Sequence, residues 1–178
     1  MMCAIEVTPT LSTERLLLRG VVNADAERMA ALVNDFGIAS MTTSIPHPYT
    51  PADAESWLAR CRAADWDHEA NFVIEHRNFG LVGAIGFRPG PMGRPELGCW
   101  LGRAFWNRGY ATEAARAALA WARRDWRKKL VVASHFADNP ASGQVLCKSG
   151  FLYTGDTELR WSQARQGPVR ARMMVWLA

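Results

Sequence analysis

Residues 105–119 read FWNRGYATEAARAAL, a stretch with almost no side chains where a helix begins. Ala111, Ala114, Ala115, Ala118, Leu119 and Ala122 recur on one helical face, which predicts a helix from about Asn107 to Arg124. Small residues on that face suit a helix lying close against a sheet. The same start also leaves amide N–H groups without intrahelical partners, at the positive end of the helix macrodipole. With Gly109 and Ala111 at the turn, an anion reaches the N–H groups of roughly Asn107 through Thr112 without meeting side chains. Phosphate or pyrophosphate is the class such a turn would take. From these residues alone, close packing and anion binding both stay open.

The rest of the chain supplies the layers around that helix. TERLLLRGV (13–21) reads as a short strand and NADAERMAALVN (23–34) as a helix capped by Asn23. Residues 39–50 form a loop broken by Pro46 and Pro48, and 50–66 a helix with Thr50 as cap, Pro51 at its first position and Asp53 three residues on. Segments 71–77 and 81–88 form a hairpin, 96–102 is a strand after the 90–95 loop, and 130–137 is a buried strand. A short helix follows over 139–150, capped by Asn139 and closed by Gly150, and 151–161 with 170–178 makes a last hairpin. This order predicts an α/β chain: one mixed, twisted sheet of about seven strands with four helices on its two faces, in a single domain over 1–178.

Composition narrows the function classes. No apolar run approaches the roughly 18 residues that a membrane span needs. MMCAIEVTPTLSTERL has neither a basic start nor a sustained apolar core, so a signal peptide is not expected. Cys3, Cys61, Cys99 and Cys147 form no CxxC or zinc spacing, and free thiols point to the cytoplasm. From Arg103 to Lys129 the chain carries eight basic residues against two acidic ones, a net +6 that leaves the remainder at −2. Such a field suits a polyanion, though charge runs are also simply solvated helix faces. The basic residues form no stripe interleaved with aromatics, so a nucleic-acid partner is not expected despite a pI of about 9.1.

Three separated motifs carry a resemblance. ELGCWLGRAFWNRGYATEAARAAL resembles motif A of the GNAT superfamily of acyl-CoA-dependent N-acyltransferases. DNPASGQVLCKSGF (138–151) is similar to its motif B, and LSTERLLLR to its first strand. The W-x-[RK]-G-Y-A-T-E-A pattern is similar to the branch of ribosomal-protein alanine N-acetyltransferases. The resemblance implies the GNAT fold, acetyl-CoA as cosubstrate and no metal. It implies an amine acceptor, either a protein N-terminus or a small molecule, and a monomer or homodimer. It assigns the cofactor's pyrophosphate to the backbone amides of Asn107, Arg108, Gly109, Tyr110, Ala111 and Thr112, with Arg103 and Arg108 as nearby cations. It also implies that strand 96–102 splays from 130–137, with the pantetheine arm pairing near Trp100 and Leu101. Asn139, Ser142 and Lys148 match polar motif B positions; each also reads as an ordinary cap or surface residue.

By resemblance the amine attacks the thioester directly. A backbone N–H near a bulge in strand 96–102 is expected to hold the oxyanion. The tyrosine that some members use to protonate the leaving thiolate is replaced by Leu146, which leaves Ser142 and Tyr110 as substitutes. A non-catalytic acyl-CoA-binding regulator on the same fold is the alternative. Glu96 leads His135, Asp138 and His47 as general base, because it opens the strand lining the cleft. Cys99 and Cys147 read as buried small hydrophobes, although Cys99 invites comparison with an acyl-cysteine route. Trp57, Trp66 and Trp100 are candidates for an acceptor pocket, and loop 39–50 with the following helix is expected to border it.

Overall fold

The computed structural model describes residues 8–178; Cys3 lies outside them. Eight strands form one sheet in the order β1-β2-β3-β4-β5-β6-β8-β7. They are β1 (Leu11–Ser12), β2 (Leu16–Arg19), β3 (Ala70–His76), β4 (Gly80–Pro89), β5 (Pro95–Leu101), β6 (Leu130–Phe136), β7 (Leu152–Ser162) and β8 (Gly167–Leu177). The helices are α1 (Asp25–Val33), α2 (Phe36–Ala39), α3 (Pro51–Ala63), α4 (Tyr110–Arg124) and α5 (Pro140–Lys148). The mixed sheet with helices on both faces matches the expected architecture. The extra strand β1 has 2 residues and the extra helix α2 has 4, both too short to leave a periodic signal. Among the described residues no helix is long and apolar enough to cross a membrane.

Two apolar clusters separate the faces. On one side α4 lies against Phe72, Ile85, Phe87, Leu97 and Leu101. Its fully buried alanines 114, 115, 118 and 122 let the helix axis approach the sheet closely. Burying a side chain such as Phe72 contributes about 2–3 kcal/mol. On the other side α1 and α3 cover Val73, Leu81 and Trp100. The helix start at α3 is as expected: the Thr50 hydroxyl accepts from the Asp53 N–H while Asp53 accepts from the Thr50 N–H. At α1 the expected cap is replaced. Asn23 does not cap; Ala24 holds the cap position without a side-chain bond, and Asp25 instead accepts from the Val22 N–H and Arg19.

The sheet is two half-sheets joined at one point. β5 pairs with β4 along its whole length in unbroken register, and β6 pairs with β8 along its whole length. Between β5 and β6, the parallel pair, only Glu96↔Val132 and Leu97↔Ala133 are in register. Beyond Leu97 the two strands diverge. The expected splay is therefore present, but it needs no bulge: the β4–β5 ladder is continuous from residue 95 to 101, and each half-sheet is held by its own antiparallel neighbour.

Candidate functional site

A cavity of about 420 Å³ sits in that divergence and reaches both faces of the sheet. Cys99, Leu146 and Ser142 line it from the α4–α5 side, and Thr43, Tyr49 and Trp57 from the α1–α3 side. Loop 39–50 and α3 thus border the cavity as expected. Trp57 and Trp100 line it; Trp66 does not, because it packs edge-on against Phe72 and Trp121 in the opposite cluster.

The turn before α4 has the geometry of an anion cradle. Helix α4 starts at Tyr110, three residues later than its periodicity suggested, because Asn107 (φ 59°) and Gly109 (φ 79°) are left-handed. A left-handed residue ends helical geometry, and glycine adopts it without penalty. No side chain caps α4, and its first intrahelical bond is the Glu113 N–H to the Gly109 carbonyl at 3.0 Å. The N–H groups of residues 107–112 have no hydrogen-bond partner among the described residues, beside exposed Arg108. Ala115, which lines the cavity, stands about 7 Å further along the helix axis than Tyr110. A ligand with an anionic end on the turn can run along α4 into the cavity.

Arg15 and Glu113 brace this turn, and sequence reading did not name either. Glu113 accepts from the Thr13 hydroxyl (2.6 Å), the Arg15 N–H (2.9 Å) and the Arg15 guanidinium (2.6 and 2.7 Å). Burial alone would raise the Glu113 carboxyl, but these hydrogen bonds outweigh it and hold it below its usual value. Arg15 also donates to the Arg108 carbonyl at 3.0 Å and stacks 4.6 Å over the Tyr110 ring. Much of the +6 segment is engaged elsewhere. Arg103 pairs with Asp35 at 2.7 Å and holds that carboxyl down to about 2. Arg116 donates to the Lys148 carbonyl, Arg124 to Asp125 and Lys128 to the Asp67 carbonyl.

The other sequence candidates divide between cavity and elsewhere. Trp100, Glu96 and Ser142 line the cavity; Leu101 is buried beside it, and its carbonyl accepts from the Trp106 indole at 2.8 Å. Asn139 caps α5 by accepting the Ser142 N–H at 3.2 Å. The Ser142 hydroxyl has no protein partner among the described residues. Lys148 lies outside this cavity, on a second hollow behind α5 with Cys147. Cys147 is exposed rather than buried, because it sits on the outer side of α5. Tyr110 is buried against His76 and is not on the cavity wall.

Of the four bases considered, Glu96 alone has its carboxylate at the junction of the half-sheets. It is buried and accepts from Arg88 (3.3 Å), Ser134 (3.3 Å) and Arg160, which come from β4, β6 and β7. His135 donates from Nδ1 to the Phe136 carbonyl (2.8 Å), which leaves Nε2 to accept from Tyr153 (3.0 Å). Asp138 is paired with Arg165, which lowers its carboxyl, and His47 is exposed against Phe36. Cys99 is exposed on the cavity wall rather than buried, and the protein crowded around its sulfur still raises its thiol. At neutral pH it stays protonated and is a poor nucleophile. Among the described residues no three His, Cys, Asp or Glu side chains are grouped to hold a metal ion.

Loop 39–50, on the α1–α3 side of the cavity, is stitched to the β7–β8 turn. Arg165 donates to the Ser40 carbonyl at 2.6 Å, the Ser162 hydroxyl to the Thr42 carbonyl at 3.2 Å, and the Gln163 N–H to the Thr43 carbonyl at 3.1 Å. None of these contacts has a local sequence signal.

Comparison with known proteins agrees with this geometry. The N-acetyltransferase YoaA of Bacillus subtilis, itself uncharacterized, is 29% identical over 156 residues, covering 83% of this chain and 85% of that protein. The ribosomal-protein-S5-alanine acetyltransferase of Vibrio fischeri superposes with a TM-score of 0.81 at 16% identity, over 95% of this chain and 96% of that one. The spermidine N-acetyltransferase of Vibrio cholerae, in complex with CoA and spermine, superposes with a TM-score of 0.76 at 19% identity, over 93% and 96%. At such identities the two structures share the fold with this chain, and their differing acceptors say nothing of its own. The model of the acetyltransferase (GNAT) domain matches residues 15–152, well over half of the sequence, and the chain therefore belongs to the GNAT acetyltransferase family.

Proposed function

We propose that this protein, acting as a single domain, transfers an acetyl group from acetyl-CoA to a primary amine by direct attack in a ternary complex. The observation that carries the reading is the divergence of β5 from β6 over a cavity open to both faces, lined by Ala115 of the helix that the uncapped, left-handed Gly109 turn begins. The turn fits the cofactor's phosphates: amides 107–112 are unpaired among the described residues, Gly109 adds no side chain, and Arg108 and Arg15 stand beside it. Arg15 also neutralises Glu113, whose charge would otherwise repel an anion there. Trp100 and Leu101 on the splayed edge, with Asn139 at the α5 cap, are the residues we assign to the pantetheine arm. Lys148 is left to a weaker, surface role.

For the chemistry, bound acetyl-CoA supplies the thioester, and the chain positions an amine across the sheet from it. An α-amine with a pKa of about 7.7–8.0 is already partly neutral, so a strong base is dispensable. The lone pairs of Glu96 are engaged by three donors; we assign it to holding the half-sheets at the opening rather than to taking the proton. Ser142, with a free hydroxyl on the cavity wall, is the group we assign to donating toward the leaving sulfur. Leu146, apolar at the position of the family's acid, favours the second reading, a regulator that binds acyl-CoA without turnover.

Thermal melting tests the cofactor. At 100 times Kd a ligand of the native state adds about 2.7 kcal/mol, which raises Tm by roughly 5–10 °C for a chain this size. Acetyl-CoA, CoA and propionyl-CoA are expected to give that rise and NADPH none. If no CoA species moves the midpoint, the turn is only a tightly packed helix start. Thiol release on adding amines then separates enzyme from regulator.

A further inference from the structure

The acceptor half of the cavity has a bare floor with charges at one end. Directly opposed residues of an antiparallel pair share a face. Arg88/Glu96, Gly86/Gly98 and Ala84/Trp100 therefore point together toward α1 and α3. A Cβ on Gly98 would meet nothing within 4 Å, whereas one on Gly86 would meet the Asn71 side chain, so the row is open over Gly98 and covered by Asn71 at Gly86.

Four charged side chains line the cavity: Asp53, Arg60, Arg88 and Glu96. Of the two acids only Glu96 has cationic partners; Asp53 is held by neutral donors at one carboxylate oxygen. Asp53 accepts the Thr50 N–H at 2.8 Å and hydroxyl at 2.6 Å, and Glu96 takes Arg88, Arg160 and Ser134. The cations have donors to spare. Arg60 has no partner among the described residues. Arg88 makes only two long contacts, 3.2 Å to the Thr43 hydroxyl and 3.3 Å to Glu96, and its side chain is 42% exposed. Arg160 adds a third guanidinium behind Glu96.

We propose that the acceptor is a small amine that carries its own carboxylate, an amino acid or short peptide, with the carboxylate held by Arg88 and the amine lying over Gly98. This rests on the acetyltransferase reading above. Arg88 and the Gly86/Gly98 pair are two residues apart on the ladder, about 7 Å. A guanidinium–carboxylate contact of about 2.8 Å and the short carbon link of an amino acid span that distance. A polyamine or aminoglycoside brings several positive charges to the Arg60 and Arg88 guanidinium groups and meets a single carboxylate without a cationic partner, Asp53, so it is disfavoured.

The test uses the full chain saturated with acetyl-CoA and follows thiol release. The acceptors are L-amino acids and dipeptides, their carboxamides, a peptide amide with an acidic second residue, spermidine and kanamycin. Free acids are expected to exceed their carboxamides by about 10-fold in kcat/KM per neutral amine, a basis that removes the lower amine basicity of the carboxamides from the comparison, with spermidine and kanamycin near background. An acidic peptide amide that matches the free acids would place the carboxylate on a side chain and uphold the charge requirement. Arg88→Met should bring the acid-to-amide ratio to about one and Arg88→Lys keep part of it, with the CoA-dependent Tm rise retained in both. Glu96 keeps Arg160 and Ser134 in these variants, so folding is expected to survive. Equal rates for acids and amides, a polyamine as best acceptor, or Arg88→Met with undiminished preference would each overturn the proposal. If CoA binds but nothing turns over, saturation-transfer NMR on the protein–CoA complex decides, and binding without preference for acids overturns it. No Tm rise with CoA in the wild type would instead remove the acetyltransferase reading beneath it.

Discussion

The two ends of the cleft are built in different ways. The end we assign to the cofactor lies within one short run of chain, where Asn107 and Gly109 turn left-handed and α4 starts uncapped. The acceptor end is assembled from residues far apart in sequence: Thr43 on a loop, Asp53 and Arg60 on α3, Arg88 and Glu96 on paired strands, and Arg160 from β7. One end is made of backbone and tolerates little change; the other is made of side chains that can be exchanged singly. A fold can therefore keep its cofactor while its acceptor changes.

The largest effect that would break this contrast belongs to Gly109. At φ 79° any other residue is strained, and an added side chain enters the space beside Arg15, 3.4 Å from its guanidinium. Gly109→Glu also puts a carboxylate where the phosphates should lie. Acetyl-CoA affinity is expected to fall about 100-fold, measured by titration, from the strain and the repulsion together. Near-wild-type affinity would mean that the cofactor end is not made of backbone.

The contrast also decides what could be read in advance. The Thr50–Asp53 capping box, the 71–88 hairpin and the alanine face of α4 are local patterns of spacing, and each formed about where it was expected. The start of α4 was placed too early because periodicity does not register a left-handed Asn107. Trp66 falls outside the cavity because α3 ends at Ala63 rather than 66, and the chain beyond it turns the indole into the opposite cluster. Arg15, Arg88, Arg160 and Arg165 act through partners many residues away, and spacing alone cannot supply them. A hint did exist for one of them: Arg88, like Glu96, is a charge at the end of an otherwise apolar strand segment, where a counter-charge is needed.

Glu96 sharpens the comparison at the acceptor end. It stands at the last point where the half-sheets touch and ties β4, β6 and β7 together. Glu96→Gln leaves Arg160, whose side chain is only 13% exposed, without its buried counter-charge. A loss of about 3 kcal/mol is expected in denaturant unfolding. If stability holds while turnover alone collapses across the pH range, Glu96 is the general base after all and the bracket reading fails.

The smallest effect returns to the cofactor end and separates bracing from binding. Glu113 is 15% exposed and Arg15 40%, so their pair is partly screened, and Glu113→Gln should cost about 1 kcal/mol at pH 7. That corresponds to roughly 2–4 °C in Tm. Because the folded Glu113 carboxyl lies below its unfolded value, near 4.3, the ionised form is the stabilised one. Its contribution is complete above the unfolded value and disappears as the pH falls through the lower folded one. Melting of wild type and Glu113→Gln from pH 7 down to about 3 should therefore converge at the acid end. Acetyl-CoA affinity should meanwhile hold or tighten, since removing the carboxylate leaves the Arg15 charge uncompensated beside the turn. A variant that instead loses affinity at unchanged stability would make Glu113 part of the binding surface, and the brace would then be the Arg15–Arg108 contact alone.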